Sequence, residues 1–137
     1  MRTPVQDDAR VLINSDIDIV HARQKGREFA THIGFSSGEL TLIATAISEL
    51  ARNIVEYAQH GEIIFQAIHH AGQEGICIIA KDEGPGILDL GQALQDGYSS
   101  RRSYGLGLPG TKRIVDEFEI DSQLGMGTTI VVRKWKR

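Results

Sequence analysis

Glu49 and Asn53 stand four residues apart in the run Ser48-Glu49-Leu50-Ala51-Arg52-Asn53-Ile54, so on a helix both project from one face. A carboxylate that stays ionised at neutral pH can take the proton of an attacking hydroxyl or water. A neutral amide oxygen suits Mg2+, which keeps several waters and draws its other oxygens from phosphates. The apolar neighbours Ile47, Leu50, Ala51 and Ile54 set the pair at the border of a buried stripe. The same spacing also allows a solvated helix edge, with Glu49 paired to Arg52 or Arg52 paired to Glu56.

Three glycine-bearing clusters follow. Asp82 closes an apolar run and leads into Glu83-Gly84-Pro85-Gly86. A carboxylate at a strand end can accept a hydrogen bond from an exocyclic amine, and Gly84 and Gly86 let the backbone pass close under a flat ring. Adenine offers that amine where guanine presents a carbonyl, so this geometry selects ATP over GTP. The second cluster, Gly105-Leu106-Gly107-Leu108-Pro109-Gly110, spells the dinucleotide fingerprint. That fingerprint belongs after a strand that opens a βαβ unit, whereas here a polar stretch, 98–104, precedes it. N–H groups at the start of a helix from Pro109 can still bind phosphate. No G-x-x-x-x-G-K-[ST] sequence occurs, which removes the P-loop. The third cluster, Gly125-Met126-Gly127-Thr128-Thr129, reads as a hairpin turn whose hydroxyls and backbone can also close a base pocket. Arg101 and Arg102 suit charge stabilisation on phosphates, docking of an acidic partner, or a mobile solvated loop. Singly, each cluster has a plain reading as turn or surface. Together and in this order they supply what a nucleoside triphosphate, a hard metal ion and a reacting hydroxyl require.

These residues must be positioned by a small chain. At 137 residues it is expected to form one domain, 1–137, that buries about two-thirds of its unfolded surface. Hydrophobic content of 41% and charged content of 24% are those of a soluble globular protein. The formal charge of −3 gives no basic field, which argues against nucleic acid as partner. The basic ending Arg133-Lys134-Trp135-Lys136-Arg137 reads as a solvated strand end rather than a binding patch. Cys77 is alone, so no disulfide forms within the chain, and its apolar flanks suggest a buried strand thiol. The N-terminal residues lack the apolar core of a secretory signal, and no apolar run nears the ~20 residues that span a bilayer. A cytoplasmic protein with no membrane contact is expected. His21, His32, His60, His69 and His70 lack metal spacing; His69 and His70, adjacent on a strand, point to opposite faces.

Periodicity and turn residues outline the elements. Residues 11–13 read as a short strand, and Asp16 as the cap of a helix that Gly34 stops. Ser36-x-x-Glu39 resembles a capping box and opens a second helix that runs to about Gln59, carrying Glu49 and Asn53. Residues 62–69 and 75–82 form a hairpin around Ala71-Gly72-Gln73. A polar stretch without strong periodicity runs from Gly84 to Tyr104, followed by a helix over 109–116 and a second hairpin, 118–122 with 128–135. The expected fold is a two-layer α/β sandwich: a mixed, mostly antiparallel sheet covered on one face by helices.

Glu49…Asn53, Asp82-x-Gly84-x-Gly86, Gly105-x-Gly107 and Gly125-x-Gly127-Thr128 resemble, in order, the N, G1, G2 and G3 boxes of the GHKL (Bergerat-fold) ATPase/kinase superfamily. Within it, Ser48–Ile54, 104–110, 112–118 and the ending near Lys134-Trp135 are similar to the small stressosome switch kinases of bacterial general-stress pathways, relatives of the anti-sigma-factor kinases. The resemblance implies an ATP- and Mg2+-dependent serine/threonine protein kinase of the bacterial cytoplasm. Its substrate would be a STAS-domain antagonist on a stressosome scaffold, and once released it would activate a downstream phosphatase or comparable effector. Carried over by position, Glu49 is the general base and Asn53 the Mg2+ ligand. Asp82 binds adenine with Gly84, Gly86 and Thr128 beside it. Gly105, Leu106, Gly107 and Leu108 lie under the phosphates, and 87–104 is the nucleotide lid. Glu83 stands where many members of the superfamily have Asn, which fits the serine-kinase branch. Two other readings stay open: an ATP-regulated module that sequesters a regulator without phosphotransfer, and a detached histidine-kinase catalytic domain. The short lid and the absence of a preceding phosphoacceptor-histidine hairpin count against the last.

Overall fold

A computed structural model describes residues 8–84 and 107–137. The order of elements is β1 (Asp8–Ile13), α1 (Asp16–Ile33), α2 (Ser37–Tyr57), β2 (Gly61–His70), β3 (Gln73–Asp82), α3 (Gly107–Ile114), β4 (Glu117–Gln123) and β5 (Gly127–Trp135). The five strands make one sheet in the order β1-β2-β3-β5-β4. Every pairing among these strands is antiparallel, so the parallel component expected of a mixed sheet is not found among the described residues.

The helix ends follow local chemistry. Ser15, not Asp16, is the N-cap of α1: its backbone is extended, and its N–H donates to the Asp18 carboxylate at 3.2 Å, beside the stronger Asn14 N–H bond of 2.8 Å. Asp16 is instead the first helical residue. These donors hold the Asp18 carboxyl below its usual range, the Asn14 amide contributing most. Gly34 stops α1 in the left-handed region. Ser36 and Glu39 close a reciprocal capping box on α2, with Ser36 N–H donating to Glu39 Oε1 at 3.0 Å and Glu39 N–H to Ser36 Oγ at 3.3 Å. The helix ends at Tyr57, two residues before the expected Gln59, which turns left-handed at φ 73°.

Both hairpins form. Ala71 and Gly72 both have positive φ, the backbone of a two-residue turn whose twist matches its flanking strands. The β4–β5 turn is closed by Met126 N–H to the Gln123 carbonyl at 2.9 Å.

Alternation along the strands sorts the sheet into two faces. Ile13, Ile63, Phe65, Ile76, Ile78, Ala80, Ile130 and Val132 are buried and meet Ile43, Ile47, Leu50, Ala51 and Ile54 of α2 and Ala22 and Ala30 of α1 in one core. Cys77 points to the opposite face, and burial pushes its thiol above the ordinary range.

The basic ending is consumed within the fold. The Lys134 ammonium is buried and donates to the Ile114 carbonyl, the last of α3, at 3.1 Å. Lys136 donates to the Ile33 carbonyl, the last of α1, at 3.1 Å and to Glu74 at 2.9 Å. Arg133 pairs with Glu117 and Glu119, and Arg137 with Asp116. Cations at two helix C-termini complement the dipoles there, so the reading as a strand end holds, with caps in place of solvation.

Candidate active site

The register of the sheet brings the first and third glycine-bearing clusters, those of Asp82 and Thr128, together. Asp82 lies opposite Gly61 on β2 and opposite Thr128 on β5, and Thr128 in turn lies opposite Ser122 on β4. Because side chains alternate, this row shares the helix-covered face with Ile78 and Ala80. It is the polar margin of an otherwise apolar face. Asp82 Oδ1 accepts the Gly84 N–H at 2.9 Å, which leaves Oδ2 as the oxygen not committed to the turn. Thr128 is buried, and its hydroxyl shares a 2.8 Å hydrogen bond with Ser122 Oγ.

Two glycines permit this packing. Gly127 has φ +94°, and a Cβ there would lie 2.7 Å from Glu83 Cα and inside van der Waals contact with the Asp82 carbonyl oxygen. At Gly84 a Cβ would meet Ala58 Cβ at 2.6 Å. The turn after β3 is thus wedged between the hairpin of β4–β5 and the C-terminal end of α2.

On α2, Glu49 is 3% exposed and Asn53 is half-buried, one turn further on. Arg52 donates to Glu49 Oε2 at 2.6 Å, giving the buried carboxylate a charge-assisted partner. Of the two ion pairs that the spacing allowed, the helix makes this one; Arg52 does not pair with Glu56. The Asn53 Nδ2 and Glu56 Oε1 atoms are buried and have no hydrogen-bond partner. α3 packs against α2, with Leu108, Pro109, Gly110 and Thr111 buried. The helix begins at Gly107, two residues before the expected Pro109, and ends at Ile114 rather than Asp116. As the first residues of α3, Gly107, Leu108 and Gly110 have N–H groups with no partner inside the helix; Pro109 has none to offer.

Glu49, Asn53, Asp82, Gly84, Gly107, Leu108 and Thr128 accordingly belong to α2, the end of β3, the start of α3 and the start of β5. Gly86, Arg101, Arg102, Gly105, Leu106 and the expected lid, 87–104, lie outside the described residues. Sequence reasoning missed Ser122. Counting back from the Leu124-Gly125-Met126 turn places it opposite Thr128, a signal available once the hairpin is recognised.

The residues present suit Mg2+. A hard cation bound chiefly by phosphate and water needs a neutral oxygen from the protein. The Asn53 carboxamide meets that need: no hydrogen bond fixes which of its two ends faces the buried position, so its oxygen is available to a metal.

The family described as "Histidine kinase-like ATPase domain" matches residues 14–134. The serine/threonine-protein kinase RsbT of Bacillus subtilis is 46% identical over 133 residues, spanning 97% of this chain and 100% of the relative. The anti-sigma F factor of Clostridium beijerinckii is 30% identical over 120 residues, 82% of each chain. A structure of the RsbU and RsbW domains of a Mycobacterium tuberculosis protein superposes with a TM-score of 0.61 at 22% identity, covering 93% of this chain and 31% of that one. The mycobacterial sensor histidine kinase MprB gives 0.54 at 18% identity over 94% and 97% of the two chains. The chain belongs to the histidine kinase-like ATPase family, and within it is a protein-serine/threonine kinase.

Proposed function

We propose that the chain transfers the γ-phosphoryl group of Mg2+-bound ATP to a serine or threonine of a folded STAS-domain antagonist held on a stressosome scaffold. Freed from that partner, it activates a downstream phosphatase or comparable effector in the bacterial cytoplasm. The observation that carries the nucleotide part is the row Asp82–Thr128–Ser122 at the margin of the covered sheet face, with Gly127 and Gly84 pressing the Asp82 turn into place. Asp82 Oδ2 accepts from the adenine amine. The Thr128 and Ser122 hydroxyls line the same edge. The first turn of α3 offers backbone N–H groups to phosphate.

Glu49 receives the proton of the acceptor hydroxyl as that oxygen bonds to the γ-phosphorus and the bond to the ADP oxygen breaks. Arg52 fixes the carboxylate's position on α2. Asn53 would hold the metal, which would supply charge neutralisation at the phosphates. The family relationship to a serine/threonine-protein kinase and to anti-sigma factors supports partner switching as the biological setting.

The test is to incubate the chain with a STAS-domain protein and γ-labelled ATP, then map the modified residue. Acid-stable phosphoserine or phosphothreonine that is lost in Glu49→Gln, with nucleotide binding retained, is the expected result. An acid-labile phosphohistidine, or ATP-dependent binding without transfer, would replace this reading with the histidine-kinase or the sequestering one.

A further inference from the structure

Asn53 and Glu56 leave two complementary buried atoms unsatisfied on one stretch of α2: a donor, Nδ2, and an acceptor, Oε1. A buried amide nitrogen or carboxylate oxygen without a partner is destabilising, more so for the charged group, so two of them three residues apart on one helix call for an explanation. Residues three apart on a helix have Cβ atoms about 5–6 Å from each other, within reach of a rotamer change by either side chain. Arg52, the cation nearest in sequence, is already engaged by Glu49 and does not bond to Glu56.

We infer that Glu56 is a positioning residue for the metal site: the two atoms are not bonded to each other in this structure, and a rotamer change on metal binding lets the Glu56 carboxylate accept from Asn53 Nδ2–H, which turns Asn53 Oδ1 toward Mg2+. A free carboxamide presents N–H and oxygen with little preference, and only the oxygen can ligate. Anchoring the nitrogen end removes that ambiguity and leaves the carboxamide neutral, which an aspartate at position 53 would not. Glu56 itself does not touch metal or phosphate. The inference rests on the reading of Asn53 as the Mg2+ ligand, and it adds a residue that the glycine clusters do not include.

The experiment is calorimetric titration of the full chain with a non-hydrolysable ATP analogue, once with Mg2+ and once with EDTA. The variants are Glu56→Leu, Glu56→Gln, Asn53→Ala and the Asn53→Ala/Glu56→Leu pair. Loss of an outer-shell partner costs about 10–100-fold in metal affinity, so Glu56→Leu is expected to cut the Mg2+-dependent gain in nucleotide affinity about tenfold. The affinity in EDTA should be unchanged. Glu56→Gln, which keeps an acceptor oxygen, should recover most of the gain. In the Asn53→Ala background Glu56→Leu should have no further effect. If Asn53→Ala removes the gain while Glu56→Leu leaves it intact, the positioning role falls and the metal site stands. If Glu56→Leu weakens binding equally in EDTA, or adds in full to Asn53→Ala, Glu56 is only structural and the inference is overturned. If Asn53→Ala leaves the gain intact, the metal reading fails, and the inference with it.

Discussion

Gly127→Ala is the substitution that most sharply probes how the site is held. Two costs are separable. Residue 127 has φ +94°, where an L side chain costs about 1–2 kcal/mol. The new Cβ would also lie 2.7 Å from Glu83 Cα and 2.9 Å from the Asp82 carbonyl carbon, all backbone, so the strand end must move. Overpacking of that kind costs about 1–3 kcal/mol, for a sum of about 2–5 kcal/mol. Gly125, two residues away in the same turn, is the control: its φ is +79°, but a methyl group there would have nothing within 4 Å. Gly125→Ala therefore carries the first cost only, about 1–2 kcal/mol. With 137 residues, the unfolding entropy is about 290 cal/mol/K, so each kcal/mol lowers Tm by about 3.5 °C. Thermal unfolding followed by circular dichroism should show Gly127→Ala down by about 7–17 °C and Gly125→Ala by about 4–7 °C. Binding of a fluorescent ATP analogue should fall in the first variant and hold in the second, because only residue 127 presses on the Asp82 turn. Equal Tm losses with equal binding would refute the close approach between β5 and the end of β3.

Lys134→Met keeps the length and apolar stem but leaves the Ile114 carbonyl without its buried ammonium donor; a loss of about 1–3 kcal/mol is expected, read as the shift in urea midpoint at unchanged slope. No shift would mean that water replaces the ammonium at that helix end. Glu39→Gln tests the capping box through pH. The Ser36 N–H is the main reason that the Glu39 carboxyl sits below its usual range, with the Ser36 hydroxyl and Arg137 N–H adding to it. A depressed native pKa means that the stabilisation is full above the ordinary carboxylate range and is lost as pH falls through the native value. The deficit of Glu39→Gln against the parent should thus be present at pH 7 and shrink on acidification below about pH 4. A deficit independent of pH would assign it to shape rather than charge.

The parts of the fold legible in sequence are those written in local chemistry. Ser36 and Glu39 cap one another across three residues, Gly34 supplies the left-handed stop, and Ala71-Gly72 turns a hairpin; none needs a distant partner. Asp16 sits one residue inside the cap position expected for it: Ser15 takes the extended cap backbone, and the Asp18 carboxylate, three residues on, reaches back to the Asn14 and Ser15 N–H groups. The all-antiparallel sheet is less visible. The adjacency of β3 and β5 depends on a pairing between residues about fifty positions apart, which no local periodicity encodes. At the site, the helical spacing of Glu49 and Asn53 suffices to put them on one face. That Asp82 and Thr128 are direct neighbours follows only from the register. The unpaired Asn53 and Glu56 atoms are not legible at all, since burial and hydrogen-bond satisfaction are properties of the packed molecule. The Leu124 and Met126 side chains at the hairpin tip, both exposed, have no explanation in the packing.

A crystal structure of the chain with Mg2+ and a non-hydrolysable ATP analogue tests the assignment of roles most directly. The expected result is the purine amine on Asp82 Oδ2 beside Thr128, the metal on Asn53 Oδ1, and Glu49 facing the γ-phosphate from the acceptor side. A purine seated away from the Asp82–Thr128 row, or a metal coordinated by a residue other than Asn53, would contradict it.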